Sequence, residues 1–559
     1  MAASRLILDY VQDHETKYAN QVYLTQPVGN GQVVDYTWGQ VMDQARRMAT
    51  HLKAQDLGPA PRIAILSKNC AHFIMAELAI WLSGGTTVAI FPTETADTVR
   101  YVLEHSGASL LFVGKLDTWD QQVGGVPAEL PCIAFPLAPA TKYEAWDKIV
   151  DRTQPLKGKI QRAPSDLGIL MYTSGSTGQP KGVMHSFERM TAAAEGELGR
   201  IISNTGPDLD YRVLSYLPLA HIFERAWIEC TSLIYGRMHV FFAETLETFL
   251  ADLNRARPNV FISVPRLWLK FQHGVFSKMP PKKLNRLLSI PILGKIVARK
   301  VLKGLGLDQC IMAGSGSAPI PAELVAWYRK LGLNLLEGYA MTEDFAYSFM
   351  STKEFNAPGC VGVANPGVQV RLTEEGEILI KSPGQLVGYY KRPDLDAEVF
   401  TEDGFFRTGD KGEINAQGIL KLTGRVKELF KTAKGKYVAP APIENMLNSH
   451  PLIEMSMVSG VGQVSAYAMV VLGEDVRPKQ NDPEFRKEVE QELAQLLKQI
   501  NNAVADYEQL RMLVIEPQPW SIENGCLTPT MKIKRNRIES AVEVHVERWY
   551  TTKGSVQWS

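Results

Sequence analysis

Short apolar runs alternate with longer segments of helical periodicity over the first two thirds of the chain. Residues 167–172, 260–264 and 310–313 have the length and the apolar character of buried strands. The most apolar stretch, residues 73–91, is interrupted by Glu77 and by two glycines, so it predicts a buried helix followed by a strand rather than a membrane span. Strands that alternate with helices predict an α/β fold built in layers.

Residues 321–331 show the clearest helix signals of this region. Pro321 suits the first helical position, and Gly332 suits the stop after the last turn. Between them lies one apolar stripe, which consists of Leu324, Trp327, Tyr328 and Leu331. We therefore expect a helix that begins at Pro321 and ends before Gly332.

The pattern changes near residue 370. Turn signals separate four short segments that predict strands, at residues 368–372, 377–381, 413–415 and 419–422. Beyond the Gly424-Arg425 pair, one long helix is predicted by a shared apolar face of Phe485, Val489, Leu493, Leu496, Leu497, Ile500 and Val504. We expect a large N-terminal α/β domain over residues 1–424, with layered α/β subdomains and a small β subdomain, and a small mobile C-terminal α+β domain over residues 425–559.

Length and composition are those of an ordinary globular protein with more than one domain. The chain has 559 residues, of which 45% are hydrophobic and 21% are charged. Lys+Arg and Asp+Glu both total 60, and this balance argues against a nucleic-acid partner. The six cysteines are widely spaced, and the N-terminus lacks the apolar core of a signal peptide. We expect a cytoplasmic protein with reduced thiols and no transmembrane segment.

A loop rich in glycine and hydroxyl groups follows the strand predicted at residues 167–172. Its sequence, YTSGSTGQPKG, combines backbone freedom with hydroxyl and ammonium donors, which suits a polyphosphate ligand. The candidate phosphate-binding residues are Thr173, Ser174, Gly175, Ser176, Thr177, Gly178 and Lys181. A Ser/Gly surface linker is the alternative interpretation. The spacing differs from G-x-x-x-x-G-K-[ST], which disfavours a P-loop kinase or GTPase.

The loop resembles the phosphate loop of the adenylate-forming superfamily, which includes acyl-CoA synthetases, firefly luciferase and the adenylation domains of peptide synthetases. Six further motifs match in order: LPLAHIFE (217–224), GSGSAP (314–319), EGYAMTE (337–343), FRTGD (406–410), GRVKE (424–428) and PTMKIKR (529–535). The resemblance covers most of the chain, from about residue 30 to about residue 540. It implies an enzyme that uses ATP and Mg²⁺ to activate a carboxylic acid as an acyl-adenylate.

The resemblance also implies how these motifs would hold the nucleotide. Tyr339 would stack on the adenine, and the turn against the other face of the base would be formed by Gly314, Ser315, Gly316, Ser317, Ala318 and Pro319. Glu337 and Gly338 belong to the same motif as Tyr339 and are further candidates for binding the nucleotide. Tyr339 could instead be an aromatic residue of the core.

Phosphates, metal and ribose complete the implied nucleotide site. Thr342 would donate to the α-phosphate, and Glu343 would hold Mg²⁺ together with Thr177. Asp410 would accept the ribose hydroxyls, with Arg425 assisting. An Asp in a Thr-Gly-Asp turn is often only a turn former, and this alternative remains open for Asp410.

Lys532 is the candidate catalytic cation. A carboxylate that attacks the α-phosphorus is an anion approaching an anion, and a fixed ammonium between them stabilises the charge that builds up. Lys534 and Arg535 are nearby competitors, but the register of the PTMKIKR motif favours Lys532. Met531 departs from the commonest family pattern, which has glycine there, and the departure resembles long-chain acyl-CoA synthetases.

His221 and the hinge motif complete the implied mechanism. His221 would orient the carboxylate or gate the pocket, although a lone histidine is more often structural. Arg425 and Lys427 mark the hinge about which the C-terminal domain of this superfamily rotates. The rotation would withdraw Lys532 and bring in Gly435 and its loop for attack by the thiol of coenzyme A.

The sequence favours a long-chain fatty acid as the acid. The resemblance to long-chain acyl-CoA synthetases rests on residues 218–225, on the segment 264–268 with its insertion to residue 307, and on residues 527–530. Basic residues of that insertion could touch anionic lipid at a membrane surface, or they could form a solvated helical face. Two other hypotheses stay open: an adenylating enzyme with another acid or acceptor, and a non-catalytic nucleotide-binding relative.

Overall fold

The computed structural model describes residues 5–173, 179–528 and 531–559. Its strands in the first half of the chain are β1 (Val22–Pro27), β2 (Val33–Thr37), β3 (Arg62–Leu66), β4 (Thr86–Ile90), β5 (Leu110–Val113), β6 (Cys132–Ala134), β7 (Glu144–Ala145), β8 (Leu167–Thr173), β9 (Lys181–Ser186), β10 (Tyr211–Ser215), β11 (Met238–Phe242) and β12 (Val260–Ser263). Further strands are β13 (Met312–Ser315), β14 (Leu335–Tyr339), β15 (Phe349–Met350), β16 (Val363–Ala364), β17 (Gln369–Leu372), β18 (Glu377–Lys381), β19 (Gly388–Tyr389), β20 (Phe406–Ile414) and β21 (Leu420–Arg425). The last six are β22 (Phe430–Lys431), β23 (Tyr437–Val438), β24 (Ile453–Ser459), β25 (Ala466–Leu472), β26 (Leu510–Glu516) and β27 (Val556–Trp558).

Helices cover and connect these strands. They are α1 (Ile7–Lys17), α2 (Trp38–Ala54), α3 (Ala71–Ser83), α4 (Ala96–Ser106), α5 (Trp119–Gln122), α6 (Trp146–Arg152), α7 (Phe187–Thr205), α8 (Ile222–Glu224), α9 (Thr231–Tyr235), α10 (Phe249–Ala256), α11 (Pro265–Lys278), α12 (Pro281–Leu288), α13 (Leu293–Gly304), α14 (Ala322–Lys330), α15 (Pro393–Val399), α16 (Pro440–Asn448), α17 (Pro483–Ala503) and α18 (Arg535–Thr551). Among the described residues, no helix is both long enough and apolar enough to cross a membrane.

The largest sheet has eight strands in the order β19-β9-β8-β4-β3-β5-β6-β7. The run from β8 to β7 is parallel, whereas β9 pairs antiparallel with β8 and with β19. Helix α3 covers one face of this sheet, and nearly every one of its side chains is buried. Such two-sided burial explains why residues 73–91 are apolar without a period, and the predicted helix followed by a strand is confirmed as α3 and β4.

Two further sheets of the N-terminal region contain parallel strands whose carboxyl ends carry the sequence motifs. One has the order β10-β11-β1-β2 and the other β12-β13-β14-β15-β16. In each of them the first three strands are parallel and the remaining pairings are antiparallel. A smaller antiparallel sheet, β17-β18-β20-β21, follows, so the predicted α/β layers and small β subdomain are confirmed.

Several predicted boundaries differ from the structure, and three of them have a physical explanation. Pro321 has a ψ of 131°, so it caps α14 from outside rather than opening its first turn. The strand predicted from residue 310 begins at Met312, because Cys310 closes a turn onto the carbonyl of Leu307. The strand predicted at residues 413–415 is the end of the longer β20, whose Gly409 and Gly412 break the alternation of apolar and polar residues.

The C-terminal region is a four-stranded sheet, β24-β25-β26-β27, with helices on both faces. Helix α17 packs Val489, Leu493 and Ile500 on one face, whereas α18 packs Ile538 and Trp549 on the other. The predicted apolar face of α17 is confirmed, except that Val504 follows the helix as its cap. The division at residues 424 and 425 stays a prediction; Arg425 is the last residue of β21.

A buried ionic cluster fixes the segment that follows β10. Arg225 lies 3.3 Å from Glu229 and also contacts Glu77 of α3, and all three side chains are fully buried. The guanidinium Nε donates to the carbonyl of Leu219 at 2.9 Å, which ties the cluster to the LPLAHIFE motif. Residues Arg225–Cys230 form a π-helix, a distortion that occurs frequently at functional sites.

We predict that Arg225→Met destabilises the protein by about 3–5 kcal/mol, because it leaves two buried carboxyl groups without their cation. Denaturant unfolding followed by tryptophan fluorescence measures the change. Arg237→Met is the matched control, since Arg237 pairs at 3.6 Å and 3.7 Å with exposed aspartates. The control should lose less than about 1 kcal/mol. An equal loss in both variants would show that the cluster contributes no more than a surface ion pair.

Candidate active site

The sequence motifs converge because they follow the carboxyl ends of parallel strands. The glycine-rich loop follows β8, and the LPLAHIFE motif follows β10. Ser315 at the end of β13 pairs with Glu337 of β14, so the GSGSAP turn and the EGYAMTE motif are neighbours. Ligands of open α/β sheets bind outside the carboxyl ends of the strands. The fold therefore places most of the candidate residues around one cleft.

The glycine-rich loop is the connection of a β-hairpin. Thr173 of β8 pairs with Lys181 of β9, so these two residues form the base of the loop. The ammonium of Lys181 lies 5.6 Å from the centre of the Tyr389 ring, and the Tyr389 hydroxyl donates to Glu343 at 2.8 Å. The loop base therefore lies beside the predicted metal ligand. The candidates Ser174, Gly175, Ser176, Thr177 and Gly178 lie outside the described residues.

Small residues are required in the turn after β13. A Cβ on Gly316 would lie 3.2 Å from the Phe223 ring, and Ser317 takes a left-handed φ of 67°. The carboxyl group of Glu337 accepts a hydrogen bond from the backbone N–H of Ile320 at 3.3 Å and so stabilises the end of this turn. Burial raises the pKa of Glu337 to about 8. The other members of the two motifs are Gly314 and Ser315, which are buried, Ala318 and Pro319, which are exposed, and Gly338, which is half-buried.

Asp410 joins two candidate residues through one carboxylate. The Tyr339 hydroxyl donates to Oδ2 at 2.7 Å, and the Arg425 Nε donates to Oδ1 at 2.8 Å. Asp410 and Arg425 are also cross-strand partners in β20 and β21. Burial and the Asp410 charge raise the pKa of Tyr339 well above its usual value. Tyr339, Asp410 and Arg425 therefore form one network, although they come from two different sheets.

Of two adjacent carboxyl groups, Glu343 faces the cleft and Asp344 faces the core. Asp344 accepts from the backbone N–H groups of Met341 and Tyr347 at 3.0 Å and 3.2 Å, and burial raises its pKa to about 8. Glu343 is half-buried and accepts from Tyr389. The carbonyl oxygen of Thr342 lies 2.8 Å from Nε2 of His185. These bonds fix the short 3₁₀ turn that presents Thr342 and Glu343.

Local hydrogen bonding determines the tautomer of His221. Its Nδ1 accepts from the backbone N–H of Phe223 at 3.2 Å, as the cap of α8. Burial, with a smaller contribution from Lys532, lowers the pKa of His221 to about 3, so the ring is neutral. A neutral imidazole whose Nδ1 accepts carries its proton on Nε2. His221 can therefore donate one hydrogen bond from Nε2.

Lys532 lies in the same cleft. Its pKa is lowered by burial and by the Arg425 charge, and the charges of Asp410, Glu343 and Glu428 oppose that shift. The Lys532 side chain is exposed, so it is open to solvent and is not part of a core. Met531 before it takes a left-handed φ of 62°, which explains why glycine suits that position.

The candidates for the hinge and for the second half-reaction, Lys427 and Gly435, follow the end of β21. Lys427 is exposed and lies 3.7 Å from Glu398. Gly435 has a φ of 78° and closes a turn onto the carbonyl of Thr432, between β22 and β23. The backbone bonds of that turn lead to Lys436 and Gln463, within the C-terminal region. In this arrangement Lys532 lies near the cleft residues Asp410 and Glu343. The backbone hydrogen bonds of the Gly435 turn, by contrast, stay within the C-terminal region.

Two residues near the cleft, and one residue that joins the two regions, were not predicted from the sequence. Tyr389 bonds Glu343 and contacts Lys181. Glu94, after β4, has its pKa raised to about 7 by burial, partly offset by the Lys534 charge. Arg266 of α11 pairs with Glu454 of β24 and so links the two regions. No local signal marks these residues, because each acquires its partner only through the fold.

The described ranges contain no group of three or more His, Cys, Asp or Glu arranged to hold a metal ion. The chemistry of Glu343 nevertheless fits Mg²⁺, which is usually bound by one or two carboxylates together with waters and substrate phosphates.

Comparisons with known proteins agree with the motifs. Long-chain-fatty-acid–CoA ligase FadD15 of Mycobacterium bovis is 29% identical over 97% of this chain and 96% of the relative. Long chain acyl-CoA synthetase 5 of Arabidopsis thaliana is 27% identical over 97% and 91%. The adenylation domain of carboxylic acid reductase from Segniliparus rugosus, solved with AMP and a co-purified carboxylic acid, shares the fold with a TM-score of 0.81, at 21% identity over 98% and 95% of the two chains.

Two sequence families match separate parts of the chain. Residues 11–390 match the AMP-binding enzyme family, and residues 428–554 match the AMP-binding enzyme C-terminal domain. The first match covers more than half of the chain and includes the loop at residues 172–182 and the motifs that end at residues 224, 319 and 343. This protein belongs to the AMP-binding enzyme family.

Proposed function

We propose that the protein activates a long-chain fatty acid with ATP to form an acyl-adenylate, and then transfers the acyl group to coenzyme A. The observation that carries the proposal is the position of Lys532, whose charge acts on His221 and is acted on by Asp410 and Glu343. A cation from the C-terminal region lies near the groups that we assign to acid, ribose and metal. Such an arrangement fits phosphoryl chemistry at an anionic centre.

The nucleotide would lie along the carboxyl ends of β13 and β14. We assign Tyr339 to the face of the adenine and Asp410, with Arg425, to the ribose hydroxyls. Both Asp410 oxygens already accept one bond each, and a carboxylate oxygen has a second lone pair for a ribose hydroxyl. Lys181, Thr342 and the glycine-rich loop would hold the phosphates. Mg²⁺, held by Glu343 together with Thr177, would neutralise charge on the phosphate oxygens.

The first half-reaction forms one bond and breaks another. A carboxylate oxygen of the acid attacks the α-phosphorus, and pyrophosphate leaves with the electrons of the broken P–O bond. The Nε2–H of His221 can donate to the carboxylate and orient it. The Lys532 ammonium stabilises the negative charge shared by the carboxylate and the α-phosphate. Because His221 is neutral, it orients the anion without competing with Lys532 as its counterion.

The second half-reaction requires a different arrangement. We propose that the C-terminal region rotates about Arg425 and Lys427, which withdraws Lys532 and brings the Gly435 turn to the cleft. The thiol sulfur of coenzyme A then bonds to the acyl carbon and loses its proton, and AMP leaves with the former carboxylate oxygen. The ion pairs of Arg266 with Glu454 and of Lys427 with Glu398 would have to open in this rotation.

A long apolar acid is favoured by two observations. Two relatives that match along 97% of the chain are named as a long-chain-fatty-acid–CoA ligase and a long chain acyl-CoA synthetase. Aromatic rings lie in this region: the Phe91 ring is 6.3 Å from that of His221, and the Phe223 ring is 6.5 Å from that of Trp227. We propose that residues 187–193, 226–233 and 261–268 line the acyl pocket. An aryl acid, or a carrier protein as acceptor, is the alternative, since related folds include a benzoate CoA ligase.

We further propose a cytoplasmic location with peripheral contact to a membrane. The cysteines of the described residues are free, as expected in a reducing compartment. A long-chain acid partitions into bilayers, so an enzyme that uses it gains from working at their surface.

We predict that Lys532→Ala reduces adenylate formation by roughly a hundred- to a thousand-fold, because one preorganised electrostatic contact is lost. Pyrophosphate release with acid and ATP measures this step. Thioester formation from supplied acyl-adenylate and coenzyme A should change little. Lys534→Ala is the matched control and should affect neither step by more than a few-fold. Equal loss of both half-reactions in Lys532→Ala would contradict the assignment of Lys532 to adenylate formation.

The lowered pKa of Lys532 gives this prediction a second readout. The cation is present below its folded pKa and is lost as pH rises through it. Adenylate formation should therefore decline at a pH below the ordinary lysine value of about 10.4. Lys532→Arg, to the extent that it is active, should lack that decline, because arginine stays charged. A decline that is identical in both enzymes would assign the titration to another group.

Chain-length dependence tests the acid. In an apolar pocket each added methylene should contribute about 0.8 kcal/mol, or roughly four-fold in kcat/KM, until the pocket is filled. We expect pyrophosphate release to rise well past medium-chain acids and to be poor with benzoate or a hydroxycinnamate. Parallel assays with and without coenzyme A should give acyl-CoA only when it is present. An optimum at acetate or an aromatic acid would contradict the long-chain assignment.

A further inference from the structure

One segment of the N-terminal region carries an unusual excess of positive charge. Twelve Lys and Arg residues, and no Asp or Glu, lie between Asp252 and Asp308. Of the twelve, those that form ion pairs within the described residues are Arg255, Arg257 and Arg266. Seven of the others project from α12 and α13 and are exposed: Lys282, Lys283, Arg286, Lys295, Arg299, Lys300 and Lys303. The charge is therefore local, although the whole chain is neutral.

The connection between α12 and α13 exposes a cluster of large aliphatic side chains. Ile292 is 76% exposed and Ile296 is 60% exposed. Ile290 and Leu293 lie beside them with 42% and 40% exposure. Isolated exposed aliphatic residues are common, but four within seven residues form a patch that marks an interaction surface. We name residues 281–304 the basic hairpin.

The two features share one face of α13. Ile296, Arg299 and Lys303 recur at spacings of three and four residues, so they lie on one side of the helix, and Ile292 is the residue immediately before its first turn. The opposite side consists of Gly294, Ala298 and Leu302, which are buried. The outer face is thus apolar at the helix start and basic toward its end. An apolar tip beside lysine and arginine is typical of a helix that lies at a lipid interface.

We propose that the basic hairpin docks the enzyme on an anionic lipid bilayer, with Ile292 and Ile296 inserted between lipids and the basic side chains on their phosphates. The proposal deepens the proposed function, on which it rests for the lipid nature of the substrate. A second copy of the chain is disfavoured, because two such faces repel each other. Nucleic acid is disfavoured, because the exposed tip is aliphatic and offers bases no aromatic platform for stacking.

The basic hairpin packs beside the segment that we assign to the acyl pocket. Leu284 of α12 and Leu302 of α13 belong to the same buried cluster as Phe261 and Trp268. Phe261 and Trp268 lie in the segment that we assign to the acyl pocket. A bilayer on the outer face of the hairpin would therefore lie above one wall of that pocket. A fatty acid dissolved in the bilayer would reach the pocket over a short path from lipid to protein.

Co-sedimentation with vesicles tests the proposal, using the full chain without ATP or coenzyme A. The wild-type protein should bind phosphatidylcholine vesicles that contain about 30% phosphatidylglycerol much more tightly than vesicles of phosphatidylcholine alone. The double variant Ile292→Ser, Ile296→Ser should bind at least about tenfold more weakly, because its apolar anchor is lost. The double variant Lys295→Glu, Arg299→Glu should bind about tenfold more weakly at about 0.1 M salt, and the wild type should respond similarly to raised salt.

Matched controls separate this surface from a general effect. Val544→Ser removes an aliphatic side chain that is 82% exposed on α18, and Lys53→Glu reverses an exposed charge at the end of α2. Both should bind vesicles as the wild type does. Circular dichroism and adenylation of a soluble medium-chain acid should be unchanged in every hairpin variant, which shows that the fold and the active site are intact.

Several results would overturn the proposal. They are absence of wild-type binding to anionic vesicles, binding by the serine variant equal to that of the wild type, and a concentration-dependent dimer that the serine variant abolishes. Failure of the proposed function is distinguishable, since it would appear as absent pyrophosphate release with every acid while vesicle binding persists. In that case membrane docking would be supported, whereas the activation of a fatty acid would not.

Discussion

The carboxylate of Asp410 is the interaction on which the candidate site depends. It lies on the antiparallel sheet of the small β subdomain, yet it accepts from Tyr339 at the end of a strand in a different sheet. Its second oxygen accepts from Arg425, the last residue before the connection to the C-terminal region. One nearly buried charge therefore sets the positions of the aromatic ring proposed for the base and of the residue proposed for the hinge. A charge in that position needs its partners, because an uncompensated buried carboxylate is costly.

Around that network the fold separates groups that must stay rigid from groups that must move. The Arg225 cluster and the cap on α8 fix His221 within the N-terminal core. Lys532, by contrast, lies on an exposed turn of the other region, where the Arg425 charge disfavours its ammonium and the Asp410 and Glu343 charges favour it. A rigid acid-orienting group and a removable cation are what two successive reactions in one cleft would require. The exposure of Lys532 fits such a removable position.

Much of the fold could be predicted from the sequence, because the α/β layers and the long amphipathic helix depend on local hydrophobic periodicity. Motif order predicted most of the candidate residues around the cleft. Properties that depend on tertiary partners could not be predicted. Only the motif resemblance distinguished Glu343 from Asp344; the two side chains differ in environment because the core encloses Asp344. The sequence also gives no sign of the His221 tautomer or of the Tyr389 hydrogen bond to Glu343.

The central claim is that the acid is activated by attack on the α-phosphorus of ATP. Isotope transfer tests it most directly. A long-chain fatty acid with both carboxylate oxygens replaced by oxygen-18 is converted by the enzyme with ATP and coenzyme A, and the products are analysed by mass spectrometry. An acyl-adenylate intermediate predicts one oxygen-18 atom in AMP, one in the thioester and none in pyrophosphate. Oxygen-18 in pyrophosphate or inorganic phosphate, with unlabelled AMP, would contradict the account.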